Sequence, residues 1–424
     1  MNHMDMERCI AVLRKELIPA FGCTEPIAIA YAAAKARDIL GAEPERLIVS
    51  CSGNIVKNVK GVVVPATGGL KGIEAAAVIG ITGGDAQMEL EVLHSVDDAA
   101  QDRARKLLED KICQVKLLKS DEKLHIIVEA FWGSHQALVE LKHTHTGIVR
   151  IERDGQVVFL EEVAKAADDD TEESLDFLDF RTIYEFAQSV KLEDIRDILK
   201  RQIDYNTSIA EYGMTHSYGA NVGATLIEVY GRDIKILAKA LPAAGSDARM
   251  GGCEMPVVIN SGSGNQGMTV SLPVIAYAKE LGASSEQLYR ALCVSNLTAI
   301  YQKSEIGRLS AYCGAVSAAA GAGAGIVWLM GGGVEEIASV VSNTLANVAG
   351  IICDGAKASC AAKIASSVEA AIMALNLTFR GKSFHAGEGV VKADANTTVK
   401  GVATIAREGM QKTDEVILNV MVGD

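Results

Sequence analysis

The sequence predicts an α+β protein: an N-terminal α/β region with an antiparallel β meander, followed by a large, mainly helical domain rich in alanine and glycine. Three observations predict it. Four alternating β-rich runs follow one another closely: KLHIIVEAFW (123–132), HQALVELKH (135–143), GIVRIERDG (147–155) and QVVFLEE (156–162). Gly133-Ser134 and Asp154-Gly155 between them are hairpin signals. Beyond the acidic run Asp168–Glu173, helical periodicity dominates to the end. Finally, 49% of residues are apolar but only 5% aromatic, with 40 glycines among 424, which suits closely packed small-residue helices.

Taken in order, residues 5–40 read as two helices separated by an FGCTEP turn at 21–26. From 47 come short β-rich runs broken by glycine: LIVSCS, then VVVP, then TGGL opening a helix. A helix at about 97–111 carries Asp97 and Asp98 in its first turn, where negative charge is favoured. The acidic run is the predicted linker, giving domains at 1–166 and 174–424, with residues 1–40 expected to pack on the helical domain. Glycine-rich loops are expected at 245–252, 261–267 and 331–333. Residues 309–334 carry no charge, but their Ala/Gly/Ser composition predicts a buried helix pair rather than a membrane span.

Charge narrows the function classes. Lys+Arg 41 against Asp+Glu 54 leaves a net −13, which repels phosphate backbones and anionic lipid. No nucleic-acid or membrane partner is expected. The N-terminal MNHMDMERCIAVLRKEL reads as an amphipathic helix without the apolar core of a signal peptide, so a cytoplasmic protein is expected. The expected partners are a small amino-acid substrate and, at most, further copies of the chain.

Nine cysteines spread through a long chain are no disulfide framework. Cys9, Cys51, Cys113, Cys253 and Cys293 sit in apolar or amphipathic surroundings and read as small core residues. Cys313, Cys353 and Cys360 stand in AYCGA, IICDG and ASCAA, beside small residues that leave room for something bulky. One helix through 353–360 would hold two of the sulfurs roughly 10 Å apart. A helix ending at Cys353, stopped by Asp354-Gly355, and another beginning near Cys360 would bring them together. Cys313, before the Ala/Gly helix, would then supply a third thiolate. Three thiolates on a [4Fe–4S] cube leave one iron open to substrate. Three core cysteines is the plain alternative.

This spacing, within NTLANVAGIICDGAKASC (343–360), resembles the iron–sulfur-dependent L-cysteine desulfidases. It is also similar to the α-chain region of the iron–sulfur L-serine dehydratases. FGCTEP, SGNIVKNV (52–59), PATGG (65–69), GEGVVK (387–392) and IAREGM (405–410) agree with the desulfidase branch, so the likeness runs over essentially the whole chain. The resemblance implies Cys313, Cys353 and Cys360 as ligands of a [4Fe–4S] cluster and Cys23 as catalytic base. It implies breakdown of L-cysteine to sulfide, ammonia and pyruvate. The serine dehydratases are known for a C-terminal cysteine that reaches the active site, whereas this chain ends ILNVMVGD, which favours cysteine over serine.

The chemistry also follows from residue types. β-Elimination needs a base for the α-proton and an acid for the leaving group, and an open cluster iron is a Lewis acid soft enough to prefer sulfur. Neither pyridoxal phosphate nor NAD is required. Thr24 as N-cap with Pro26 in the first turn would set Cys23 at a helix N-terminus, whose field lowers a thiol pKa. A buried core cysteine is the alternative. For the substrate carboxylate, the candidates are Ser52-Gly53-Asn54, Thr67-Gly68-Gly69 and the loop 261–267, with Arg249 as a bidentate partner. Each loop also reads as a tight turn. Gly262, Gly264 and Gly267 spell GxGxxG, but 271–303 reads as two helices, so no dinucleotide fold follows. His143 and His145, alternating on a strand with His135 on the one before, read as solvent-facing rather than as a zinc site. The leading function is therefore an L-cysteine desulfidase. An L-serine dehydratase and a non-catalytic amino-acid-binding regulator are the alternatives.

Overall fold

Short β-rich runs over residues 125–153 make strands that bury one face, and that face decides where the first helices go. The computed structural model describes residues 1–161, 175–307 and 309–422. Its first half runs α1 (His3–Glu16), β1 (Pro19–Phe21), α2 (Thr24–Leu40), β2 (Arg46–Cys51), α3 (Gly53–Val59), α4 (Ile73–Gly83), α5 (Asp98–Glu109) and β3 (Cys113–Leu117). The meander follows as β4 (His125–Trp132), β5 (His135–Lys142), β6 (Ile148–Arg153) and β7 (Gln156–Leu160). The helical part comprises α6 (Phe180–Ser189), α7 (Leu192–Thr215), α8 (Val222–Tyr230), α9 (Ile234–Met250), β8 (Pro256–Val258), α10 (Gly264–Glu280), α11 (Ser285–Ile306), α12 (Gly314–Leu329), α13 (Val334–Val348), α14 (Cys360–Thr378), α15 (Ala395–Thr404) and α16 (Gln411–Val422).

The protein is α+β, as its patterning predicts. The sheet order is β3-β2-β4-β5-β6-β7, antiparallel from β2 through β7, with β3 parallel to β2. Leu47, Val49, Ile126, Val128, Ala130, Val139 and Leu141 form its buried face, on which α2 packs. α1 joins the helical core through Cys9, Ile10 and Leu13, so residues 1–40 are shared between the two parts.

β1 pairs antiparallel with β8, which ties the FGCTEP turn to the loop before α10. Asn206 of α7 acts as a strand partner for Val258, accepting from its N–H at 2.8 Å and donating to its carbonyl at 3.2 Å. Gln202, Asn260 and Asn296 form a buried hydrogen-bonded cluster beside it. Satisfied networks of this kind rigidify a core, and this one fixes the loop that borders the site.

Several local expectations are corrected. VVVP forms no strand: Val63 makes a single bridge to Lys71. Ser52-Gly53-Asn54, expected as a loop, caps and opens a short helix, α3. Residues 245–250 continue α9, because Gly245 and its small neighbours let α9 lie against Met268 of α10 and Ala210 of α7, and packing overrides glycine's helix cost. The uncharged stretch 309–334 holds one helix, α12, rather than a pair; α10, α11, α13 and α14 surround it. Among the described residues α14 has the length and composition to cross a membrane, yet it packs against α9, α12 and α13 as a core helix does. The predicted linker Asp168–Glu173 lies outside the described residues.

Candidate active site

The β1–β8 pairing delivers Gly22 and Cys23 to the mouth of α2. The N-cap is Cys23 itself rather than Thr24, whose hydroxyl donates to the Gly262 carbonyl at 3.1 Å. The Cys23 thiol, 2% exposed, donates to Glu25 Oε2 at 3.2 Å. Asn58 Nδ2 donates to Glu25 Oε1 at 3.0 Å, and His145 Nε2 lies 4.0 Å from the same oxygen. Arg249, near the end of α9, donates from Nε to the Gly22 carbonyl at 3.0 Å and from Nη1 to Asn265 Oδ1 at 3.2 Å. A Cβ at Gly264 would sit 2.5 Å from Arg249 Nε, so only glycine leaves the guanidinium its place.

The helix-terminus argument for an acidic Cys23 does not hold. Burial and the Glu25 carboxylate push the thiol well above its ordinary range, and the nearby Arg249 offsets only part of that. Cys23 thus stands as a hydrogen-bond donor to Glu25.

The three later cysteines meet at one wall. Cys313 is the N-cap of α12. Tyr312 bridges Ile352, and the Cys353 amide donates to the Ala311 carbonyl at 2.6 Å while the Cys313 amide donates to that of Ile351 at 3.1 Å. The preceding helix α13 ends at Val348 rather than at Cys353, and the residues between form this bridge. Cys360 opens α14, as its spacing predicts, and its thiol donates to the Gly355 carbonyl at 3.5 Å. Burial first, then the charge of Cys353, pushes the Cys313 thiol up to about 12; burial also raises Cys360. Such thiols stay neutral until a metal displaces their protons, and the starts of α12 and α14 then favour the negative charge that forms.

Gly355 turns the chain between two of these cysteines with φ +93°, and a Cβ there would lie 2.3 Å from the Lys57 carbonyl oxygen. Gly355→Ala is therefore expected to destabilise the fold by about 1–3 kcal/mol from backbone strain alone. Urea unfolding measures this; a variant as stable as the parent contradicts the tight turn.

Cys23, Asn54, Arg249, Cys313, Cys353 and Cys360 all line a single cavity whose volume, open solvent included, is ≈ 900 Å³. Among the described residues, no three His, Cys, Asp or Glu side chains converge closely enough to share one metal ion. A polynuclear cluster asks for something else: each thiolate binds a different iron, so the sulfurs stand further apart. Three soft thiols around one space suit such a group.

A family model described as the serine dehydratase alpha chain matches residues 87–419. The chain belongs to the serine dehydratase alpha-chain family. It is 59% identical to a UPF0597 protein of Lachnoclostridium phytofermentans, over 98% of this chain and 99% of that one. A UPF0597 protein of Desulfitobacterium hafniense is 48% identical, over 97% of this chain and 95% of its own length. One from Bacteroides fragilis is 39% identical, over 99% of each. The serine dehydratase match begins after FGCTEP and α3, whereas the UPF0597 likenesses span nearly the whole chain.

Other sequence-predicted residues of this serine dehydratase-family chain lie elsewhere. Ser52 caps α3 and donates to the Lys123 carbonyl at 2.7 Å, and Gly53 lies beneath Leu418. Thr67 donates to the Val64 carbonyl at 2.6 Å and accepts from the Leu70 amide at 3.0 Å, while Gly68 and Gly69 face solvent. Neither Ser52, Gly53 nor 67–69 lines the cavity. His143 and His145 stand in the β5–β6 turn rather than on a strand; His143 is exposed, but His145 is buried and borders the cavity. His135 pairs with Asp154 at the surface.

Of the three candidate loops, 261–267 lines the cavity through residues that include Ser261, Asn265 and Gln266, and 52–54 only through Asn54, whereas Glu25, Lys57, Asn58 and Lys303 on the same lining were missed and His145 was misread as solvent-facing. The available signal was polarity in the wrong place. Glu25 stands just ahead of the apolar run 27–34, and Lys57 interrupts the apolar run of α3, yet both are buried. Charged residues of this kind are almost never fully buried without a partner.

Proposed function

We propose that the chain is an iron–sulfur lyase that eliminates the β-substituent of a small amino acid, with L-cysteine as its substrate. The observation that carries this reading is the meeting of three thiols, a hydrogen-bonded Cys23–Glu25 pair and the Arg249 guanidinium in one cavity. Held by Cys313, Cys353 and Cys360, a [4Fe–4S] cluster would supply a soft Lewis acid at its open iron for the departing β-substituent, sulfur in preference to oxygen.

The chain's own residues do the rest. Arg249, fixed by Gly22 and Asn265, presents a planar cation for the substrate carboxylate, with Asn54 and Gln266 on the same lining. Cys23 gives its proton to Glu25 Oε2 and takes the substrate α-proton at Sγ, and Glu25 passes the proton it received to the departing β-substituent, which restores the pair. Asn58 and His145 hold Glu25 in place for that transfer. Water completes the hydrolysis of the released enamine, through its imine, to pyruvate and ammonia.

A serine dehydratase with the same residues is the second reading, favoured by the description of the matching family. Anaerobically reconstituted protein, assayed for sulfide from L-cysteine and pyruvate from L-serine, separates the two. The expected result is a kcat/KM at least about tenfold higher for cysteine, a difference of 1.4 kcal/mol in transition-state binding. A higher value for serine transfers the assignment, and tight cysteine binding without turnover makes the protein a regulator.

A further inference from the structure

Lys57 is the most deeply buried charge in the site. It is 2% exposed, it sits on α3, and its ammonium makes two contacts that connect distant parts of the chain. Nζ donates to the Cys353 carbonyl at 3.3 Å, and it forms an ion pair with Asp414 of α16. At the other end of the same residue, the Lys57 carbonyl lies against Gly355 so closely that a Cβ there would be 2.3 Å away. The turn 353–355 is thus gripped from both ends of one lysine. Asp414 belongs to the C-terminal helix, which docks on α3 through this pair, through Lys60 donating to the Met421 carbonyl, and through Leu418 lying over Gly53.

Burying an ammonium costs several kcal/mol unless charge and hydrogen bonds replace the lost water. A helix dock alone could be built from apolar contacts such as Leu418 on Gly53. The buried charge gains something an apolar contact lacks: a donor that fixes the backbone carbonyl of Cys353, the middle one of the three cysteines. Outer partners that orient metal ligands in this way typically change metal affinity 10–100-fold.

We infer that Lys57, held by Asp414 of the C-terminal helix, is a positioning residue that fixes the Cys353 turn for cluster binding, so that the docking of α16 sets how firmly the cluster is held. This rests on the cluster reading above, and its test separates the two. Full-length wild type, Asp414→Asn, Lys57→Met and Lys57→Arg are compared in two measurements. One is the anaerobic rate of iron loss to a chelator from reconstituted protein. The other is the rate at which iodoacetamide alkylates Cys353 relative to Cys360 in metal-free protein, read by peptide mass spectrometry.

Asp414→Asn and Lys57→Met are expected to lose iron about 10–100-fold faster and to raise the Cys353-to-Cys360 alkylation ratio several-fold, with Lys57→Arg recovering part of both. Leu418→Ala loosens the same helix without touching the ion pair and should move both readouts in the same direction by less. Wild-type rates in all variants overturn the inference. So does equal acceleration at Cys353 and Cys360, which would mark general loosening. A wild type that takes up no iron overturns the cluster reading instead, and the alkylation ratio alone then decides whether Lys57 holds Cys353.

Discussion

Cys353→Ala is expected to cost more than about 100-fold in lyase turnover, beyond the upper end of what loss of an outer partner does to a metal site. Iron content should fall with it. The fold should survive: Cys353 is half-buried, and its place is held by backbone bonds to Ala311 and by the Tyr312–Ile352 bridge, none of which needs the thiol. A stability loss of about 1 kcal/mol or less follows. Cys293→Ala is the matched control. That thiol is fully buried in the helical core away from the cavity, so its removal leaves a small void, costs stability and keeps the iron. Iron analysis, turnover and thermal unfolding of the two variants together distinguish a ligand from a core cysteine. Full activity in Cys353→Ala would remove the ligand assignment.

The second large effect is at Cys23. Cys23→Ala should lower kcat by about 10²–10⁴-fold, the usual range for a lost acid–base group. KM should change little, because Arg249 keeps its bonds to Gly22 and Asn265. Iron should stay at the wild-type level. Glu25→Gln should produce a loss of similar size, and the double variant little more than either single one, since groups that act as a unit are strongly non-additive. Steady-state kinetics on iron-loaded protein checks all three. Near wild-type kcat in Cys23→Ala would send the proton-abstracting role to another group on the cavity wall.

The fold was largely legible because its β-rich runs follow one another closely and its hairpins carry Gly133-Ser134 and Asp154-Gly155, with positive φ at Gly133, Asp154 and Gly155. The helical half was legible in kind but not in its boundaries. Glycines at 245, 251 and 252 look like a loop from composition alone, yet Gly245 is a packing contact inside α9 and the break comes only after Met250. In the site, the cysteine spacing was informative because Gly355 and Cys360 mark a turn and a helix start that any chain must punctuate in some such way. The carboxylate loops were harder. Thr67 and Ser52 satisfy local backbone groups, and a residue type that closes a turn is the same one that binds an anion. The Cys23 environment was the least accessible. Its helix-terminal position and Glu25 two residues on can be read along the chain, but the burial that dominates it arises from the β1–β8 pairing and from α3, which are distant in sequence.

The central claim is that Cys313, Cys353 and Cys360 hold one [4Fe–4S] cluster. Iron and acid-labile sulfide, determined per chain after anaerobic purification and reconstitution, test it most directly. About four of each per chain, falling sharply when the three cysteines are replaced together, is the predicted result. Less than one iron per chain after reconstitution, or a full complement retained by the triple variant, would contradict it.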